Sequence, residues 1–187
     1  MKFIYLDTET TGLNFKEDSI FQLSGIIKTA EGEESFNFNM KPYKGKGLDA
    51  MTSQLTGKTD AEIFAYPDQA AVFRAFIKLL EKYVSKFDRS DKFFIIGYNV
   101  NFDIEFLREW FIFNGEKYFG SYFWNPGIDV MALAANLLVA DRPYMKDFKL
   151  VTVYEYVCGK TFDAHDAFED IKATRELHDA LFKRLLK

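Results

Sequence analysis

The strongest constraint on the fold is an unbroken apolar run, Phe93-Phe94-Ile95-Ile96, set within Lys92 to Tyr98 and flanked by segments of helical period. A run this short cannot span a membrane, and without polar alternation it reads as a strand covered on both faces. Beyond Pro67, residues Ala70, Phe73, Phe76, Ile77, Leu80 and Val84 step by three or four, as an amphipathic helix does. A second helical pattern runs from Phe102 to Phe113 and stops at Asn114-Gly115. Helix, buried strand and helix in succession make this an α/β chain.

Lys2 to Leu6 form another short apolar strand, which ends near Thr10 in a polar, glycine-containing turn. Ile20 to Thr29 and Ser35 to Lys41 suggest two more strands joined by a hairpin at Ala30-Glu31-Gly32-Glu33-Glu34, so the first three strands are expected to be antiparallel. Pro42 to Gly47 is a loop, and short helical pieces surround Leu55-Thr56-Gly57. Ile128 centres a brief strand, Asp129 is placed to cap a helix over Val130 to Val139, and the last helix runs from about Ala167 to Leu186. Leu150 to Val157 carries β-branched residues but also a 3–4 step ending at Gly159, and propensity alone leaves both readings open. With 187 residues and no visible repeat or linker, one domain over residues 1–187 is expected.

Hydrophobic residues make up 48%, and 21 Phe with 10 Tyr give an aromatic content that excludes disorder. The lone Cys158 forbids an internal disulfide and a cysteine-rich zinc site, which fits a reducing compartment. The opening residues are too briefly apolar for a secretory signal, so a cytoplasmic protein without membrane contact is expected. A net charge of −4 argues against binding a phosphate backbone by bulk charge, but bound divalent cations can supply positive charge where it is needed.

Where the acids stand therefore matters more than their number. Asp7 and Glu9, two apart at a strand end, project from the same face and can grip one ion together, although alone such a pair reads first as a solvated strand end. On a helical projection from Phe102 at about 100° per residue, Asp103 falls within the stripe formed by Phe106, Trp110 and Leu107. A carboxylate there needs a cation, a partner or the backbone amides of the helix start. The last helix repeats the anomaly: Asp170 projects with Ile171, Thr174, Leu177 and Leu181. Asp166 and Glu169 have capping-box spacing, which leaves His165 on the preceding loop, able to swing toward Asp170. His178 reads as an ordinary surface histidine. Convergence of the four acids is what two-metal phosphoryl chemistry requires, and oxygen-only ligands suit Mg²⁺ or Mn²⁺.

Leu6-Asp7-Thr8-Glu9-Thr10-Thr11-Gly12-Leu13 resembles the first motif of the DEDD exonuclease superfamily. Asn99-Val100-Asn101-Phe102-Asp103 resembles the second, and His165-Asp166-Ala167-Phe168-Glu169-Asp170 the third, in the histidine-bearing branch. The three occur in family order. Gln54 to Thr59 and Ile128 to Leu133 are similar to shorter family segments between them. The resemblance implies a ribonuclease-H-like fold, a five-stranded mixed sheet flanked by helices, with Leu150 to Val157 helical. It implies that Asp7, Glu9 and Asp170 hold two Mg²⁺ or Mn²⁺ ions, with Asp103 binding the second ion directly or through water, and that His165 takes a proton from the attacking water. Thr10, Leu13 and Phe102 would lie beside the terminal nucleotide. Tyr98, where proofreading relatives often carry His, would be a further substrate contact.

The expected activity is 3'-to-5' hydrolysis of single-stranded DNA ends, as in the proofreading exonucleases of bacterial replicative polymerases, with a polymerase or another replication or repair protein as a partner. The alternatives are an exoribonuclease, a catalytically silent nucleic-acid-binding module of the same fold, and an enzyme acting on a small phosphoester. Loop cations at Lys41, Lys44, Lys46, Lys58, Arg142, Lys146 and Lys149 could form local patches, although each alone reads as a solvated charge. Tyr118, Phe119, Tyr122, Phe123 and Trp124 could cover the site edge, fill the core or meet a partner.

Overall fold

The computed structural model describes residues 1–162 and 167–185. Its sheet contains β1 (Lys2–Thr10), β2 (Ile20–Lys28), β3 (Glu33–Asn39), β4 (Phe93–Gly97) and β5 (Ile128–Asp129), in the order β3-β2-β1-β4-β5. The pairs β1–β2 and β2–β3 are antiparallel, whereas β4 runs parallel to both β1 and β5. The first hairpin is tighter than the sequence suggests: Thr29 N–H bonds to the Gly32 carbonyl at 2.9 Å, and Gly32 takes a φ of 145°. That turn starts β3 two residues early.

Alternation along β1 divides the core into two layers. Ile4 and Leu6 face a layer built with α3 (Gln69–Tyr83) and α4 (Val100–Phe113), including Phe73, Phe76, Leu107, Trp110 and Phe111. Tyr5 faces the other layer, which contains Ile26, Ile96, Val130, Val153, Ile171, Leu177 and Leu181. That side is covered by α6 (Val130–Leu137), α7 (Leu150–Cys158) and α8 (Ala167–Leu185). Among the described residues no helix is long and apolar enough to cross a membrane.

Local chemistry accounts for the element ends. Asp68 caps α3 by accepting from Ala70 and Ala71 N–H, and Asp129 caps α6 by accepting from Met131 and Ala132 N–H. Helix α7 forms despite its β-branched residues, because Val153 and Tyr154 are buried and Gly159 closes it at a φ of 67°. Two short helices, α1 (Ala50–Thr56) and α2 (Asp60–Phe64), occupy the predicted helical region, and α2 has a complete Thr59–Glu62 capping box. A further turn of helix, α5 (Phe119–Tyr122), carries Phe119 and Tyr122 into the core against Phe111. Phe123 joins them, whereas Tyr118 remains 62% exposed and Trp124 stacks on Phe94.

Candidate active site

The C-terminal end of β1 brings Asp7 and Glu9 out on the α8 side, where the first turn of α8 delivers Asp170. Carboxylate oxygens of these three residues lie within 4.8 Å of one another, and all three side chains are half-buried. Just beyond them the β1–β2 register slips between Glu9 and Thr10, a bulge that frees the strand end from regular pairing.

Asp103 arrives from the opposite layer, on the first turn of α4, and is 3% exposed. Its Oδ1 accepts two hydrogen bonds from Thr8, one from the backbone N–H at 3.0 Å and one from the hydroxyl at 2.7 Å. The convergence expected from the sequence is therefore divided three and one. Asp7, Glu9 and Asp170 share one space, and Asp103 is bound to the strand residue that points the other way. Asp103 is still near enough to act on Asp7. Burial pushes the Asp7 carboxyl well above the usual range, and the charges of Asp103, Glu9 and Asp170 push it further in the same direction. Burial also pushes Asp103 up to about 7, against the Thr8 hydrogen bonds that favour its charged form. Among the described residues the charges that most affect Asp7 are thus negative, an arrangement that a divalent cation would relieve. Three carboxylates without cysteine suit a hard cation such as Mg²⁺ or Mn²⁺.

The loop after β1 is internally braced. Thr10 is buried and its hydroxyl donates to the Gly12 carbonyl at 2.7 Å, while Leu13 stands 69% exposed at the tip. Asp18, a residue the sequence reading passed over, anchors this loop: its Oδ2 accepts from Asn14 N–H at 2.9 Å. Its Oδ1 makes no well-directed hydrogen bond but lies 2.7 Å from the Lys46 ammonium. A Cβ on Gly12 would sit 2.5 Å from the Asp18 carboxylate, so glycine is required for this approach.

The remaining predicted residues divide similarly. Phe102 is half-buried and packs on Phe106 with ring centroids 4.9 Å apart, against the α3/α4 layer. The Tyr98 hydroxyl donates to the Phe148 carbonyl at 2.6 Å and so is committed to the segment before α7. Its neighbour Asn99 opens α4 in the left-handed region at a φ of 61°, with its N–H bonded to Asp129 at 3.1 Å. His165 lies outside the described residues, as does Asp166 of the expected capping box. His178 is not the surface histidine expected: its Nδ1 lies 3.0 Å from the Tyr5 hydroxyl, and burial holds its pKa below the ordinary value.

Residues 4–178 match the RNase_T family model, described as exonuclease. The chain belongs to this exonuclease family. The three motifs that resemble the DEDD superfamily thus fall within a matched family domain. Among its relatives, the PolC-type DNA polymerase III of Thermotoga petrophila is 29% identical over 94% of this chain and 11% of its own length. The PolC-type DNA polymerase III of Oceanobacillus iheyensis is 27% identical over 99% of this chain and 12% of its own. The chain spans only about an eighth or less of such relatives. Among solved structures, E. coli Exonuclease I in complex with a dA16 oligonucleotide superposes with a TM-score of 0.74 at 24% identity, covering 99% of this chain and 43% of that one. A second Exonuclease I structure gives a TM-score of 0.76 at 25% identity. These structures share the mixed five-stranded sheet with flanking helices.

Proposed function

We propose that the chain is a metal-dependent 3'-to-5' exonuclease domain over residues 1–187, acting in the cytoplasm on single-stranded DNA ends. The observation that carries this reading is the grouping of Asp7, Glu9 and Asp170 within 4.8 Å, with Asp103 close enough to raise the Asp7 pKa. Asp7, Glu9 and Asp170 would hold Mg²⁺ or Mn²⁺, and Asp103 would complete a two-ion site from the α4 side. When bound, the ions would neutralise the scissile phosphate and ease ionisation of the attacking water. His165 would accept the proton of that water. The new P–O bond would form as the bond to the 3'-oxygen breaks; the departing oxygen would take a proton from solvent, giving a free 3'-hydroxyl and a nucleoside 5'-monophosphate.

Leu13, at the exposed tip of the braced loop, and Phe102 would meet the terminal base, with Thr10 fixing the loop that presents Leu13. Tyr98 is assigned a bracing role, because its hydroxyl is occupied by Phe148. DNA is favoured over RNA because the relatives are named as DNA polymerases and Exonuclease I is described with an oligonucleotide of deoxyadenosine. The same kinship favours work beside a polymerase or another replication or repair protein. The test is digestion of 3'-blocked and unblocked DNA oligomers with Mg²⁺, beside an RNA oligomer of the same sequence. Release of mononucleotides from unblocked DNA alone, abolished in Asp7→Ala, is expected. Equal release from the blocked end, or full activity in Asp7→Ala, would overturn the reading.

A further inference from the structure

The connection from α6 to α7 reads Arg142-Pro143-Tyr144-Met145-Lys146-Asp147-Phe148-Lys149, three cations interleaved with two aromatic rings. Its place in the fold is fixed from two sides. Tyr98, which follows β4 directly, donates its hydroxyl to the Phe148 carbonyl at 2.6 Å. Arg142 lies over the Phe148 ring, 3.9 Å from its centroid, close enough for its charge to act on the Tyr98 phenol. Because β4 runs parallel to β1, the C-terminal ends of both strands lie at one end of the sheet. The segment is therefore held at the end where Asp7 and Glu9 stand.

Its charges are sorted. Asp147 is turned to the start of α7, accepting from Lys149 N–H at 3.1 Å and from the Thr152 hydroxyl at 2.5 Å. Asp141 lies near the Tyr156 hydroxyl and raises its pKa. Arg142, Lys146 and Lys149 are exposed, and among the described residues none of them has an ion-pair partner within 4.0 Å. Tyr144 is 88% exposed between the free cations. In a chain of net charge −4, a segment that holds three exposed cations beside two half-buried acids is suited to a polyanion. An exposed aromatic ring among such cations suits a polyanion that also offers unpaired bases.

We propose that residues 142–149 guide the single strand upstream of the terminal nucleotide, with backbone phosphates on Arg142, Lys146 and Lys149 and a base stacked on Tyr144. This inference rests on the nuclease reading above. Tyr98 holds the guide in register with the carboxylates and is a positioning residue.

The test compares a thymidine 12-mer with the p-nitrophenyl ester of thymidine 5'-monophosphate, which carries no strand upstream of its one nucleotide. In the full chain carrying Arg142→Gln, Lys146→Gln and Lys149→Gln, the ratio of kcat/KM for the 12-mer to that for the ester is expected to fall at least tenfold. Affinity for the 12-mer, measured by fluorescence anisotropy with Ca²⁺ in place of Mg²⁺, should lose about two units of salt-dependence slope, from roughly 0.7 per phosphate contact. Tyr144→Ala should weaken 12-mer affinity roughly tenfold with the slope intact. An unchanged ratio and slope, or an equal loss on both substrates, would overturn the guide while leaving the nuclease reading in place. Failure of the unaltered chain to hydrolyse either substrate would remove the nuclease reading instead.

Discussion

Asp103 makes the metal-free protein sensitive to pH in an unusual direction. Its pKa is raised from the ordinary carboxylate value to about 7 by burial, so the folded state holds a proton that the unfolded chain releases near pH 4. The resulting stability is fully present below pH ~4 and is lost as pH rises through about 7. Three units at ~1.4 kcal/mol each give a ceiling of about 4 kcal/mol, of which about 3 kcal/mol falls between pH 5 and pH 8. For a chain of this size that corresponds to roughly 6–12 °C in Tm. Thermal unfolding in EDTA at pH 5 and pH 8 should therefore give the lower Tm at pH 8, and Asp103→Asn should flatten the difference. His178 acts with the opposite sign, since its lowered pKa makes acid destabilising; it is common to wild type and variant, so their difference reports Asp103 together with its effect on Asp7. The raised pKa of Asp7 adds in the same direction as Asp103. Addition of Mg²⁺ should erase the wild-type slope, because a nearby cation favours the charged carboxylates. Equal slopes in wild type and Asp103→Asn would refute the reasoning.

Thr8→Val removes the hydroxyl donor to Asp103 but keeps the backbone N–H; it should weaken Mn²⁺ binding roughly tenfold in calorimetry, with Thr8→Ser restoring it. Identical titrations for wild type and Thr8→Val would remove this clamp. Gly12→Ala drives a Cβ into the Asp18 carboxylate and should cost about 1–3 kcal/mol in urea unfolding, an effect disproved by an unshifted midpoint. If His165 is the base, turnover should fall as pH drops through its ordinary pKa of ~6.5. A His165→Ala enzyme with full rate and the same profile would exclude it.

The acids of the candidate site stand out in the sequence, two by breaking a pattern and two by following one. Asp103 and Asp170 interrupt apolar helical stripes, and the period of two along β1 sends Asp7 and Glu9 to one side. Periodicity does not reveal which layer a helix joins, so the assignment of Asp103 to the face opposite Asp170 required the packing of α4. Thr8 was hidden for the same reason: its partner is 95 residues away in sequence. His178 was readable in principle, since a projection from Ala167 puts it at about 20°, inside the stripe of Leu177 and Leu181. Residue type alone points the other way, because histidine is not among the side chains most often buried. Helix α7 was ambiguous because burial of Val153 and Tyr154, a tertiary effect, decides against strand propensity.

The division of the acids between two hydrophobic layers has a mechanical consequence. Asp170 rides on a helix that buries Ile171, Leu177 and Leu181 in the layer of Tyr5, Ile26 and Val153, whereas Asp103 rides on one that buries Leu107, Trp110 and Phe111 in the layer of Ile4, Leu6, Phe73 and Phe76. β1 is the common rail between them. Slippage of either helix would alter the gap between the acids without opening the sheet, so the carboxylate spacing can be retuned from either flank by changes far from the acids themselves.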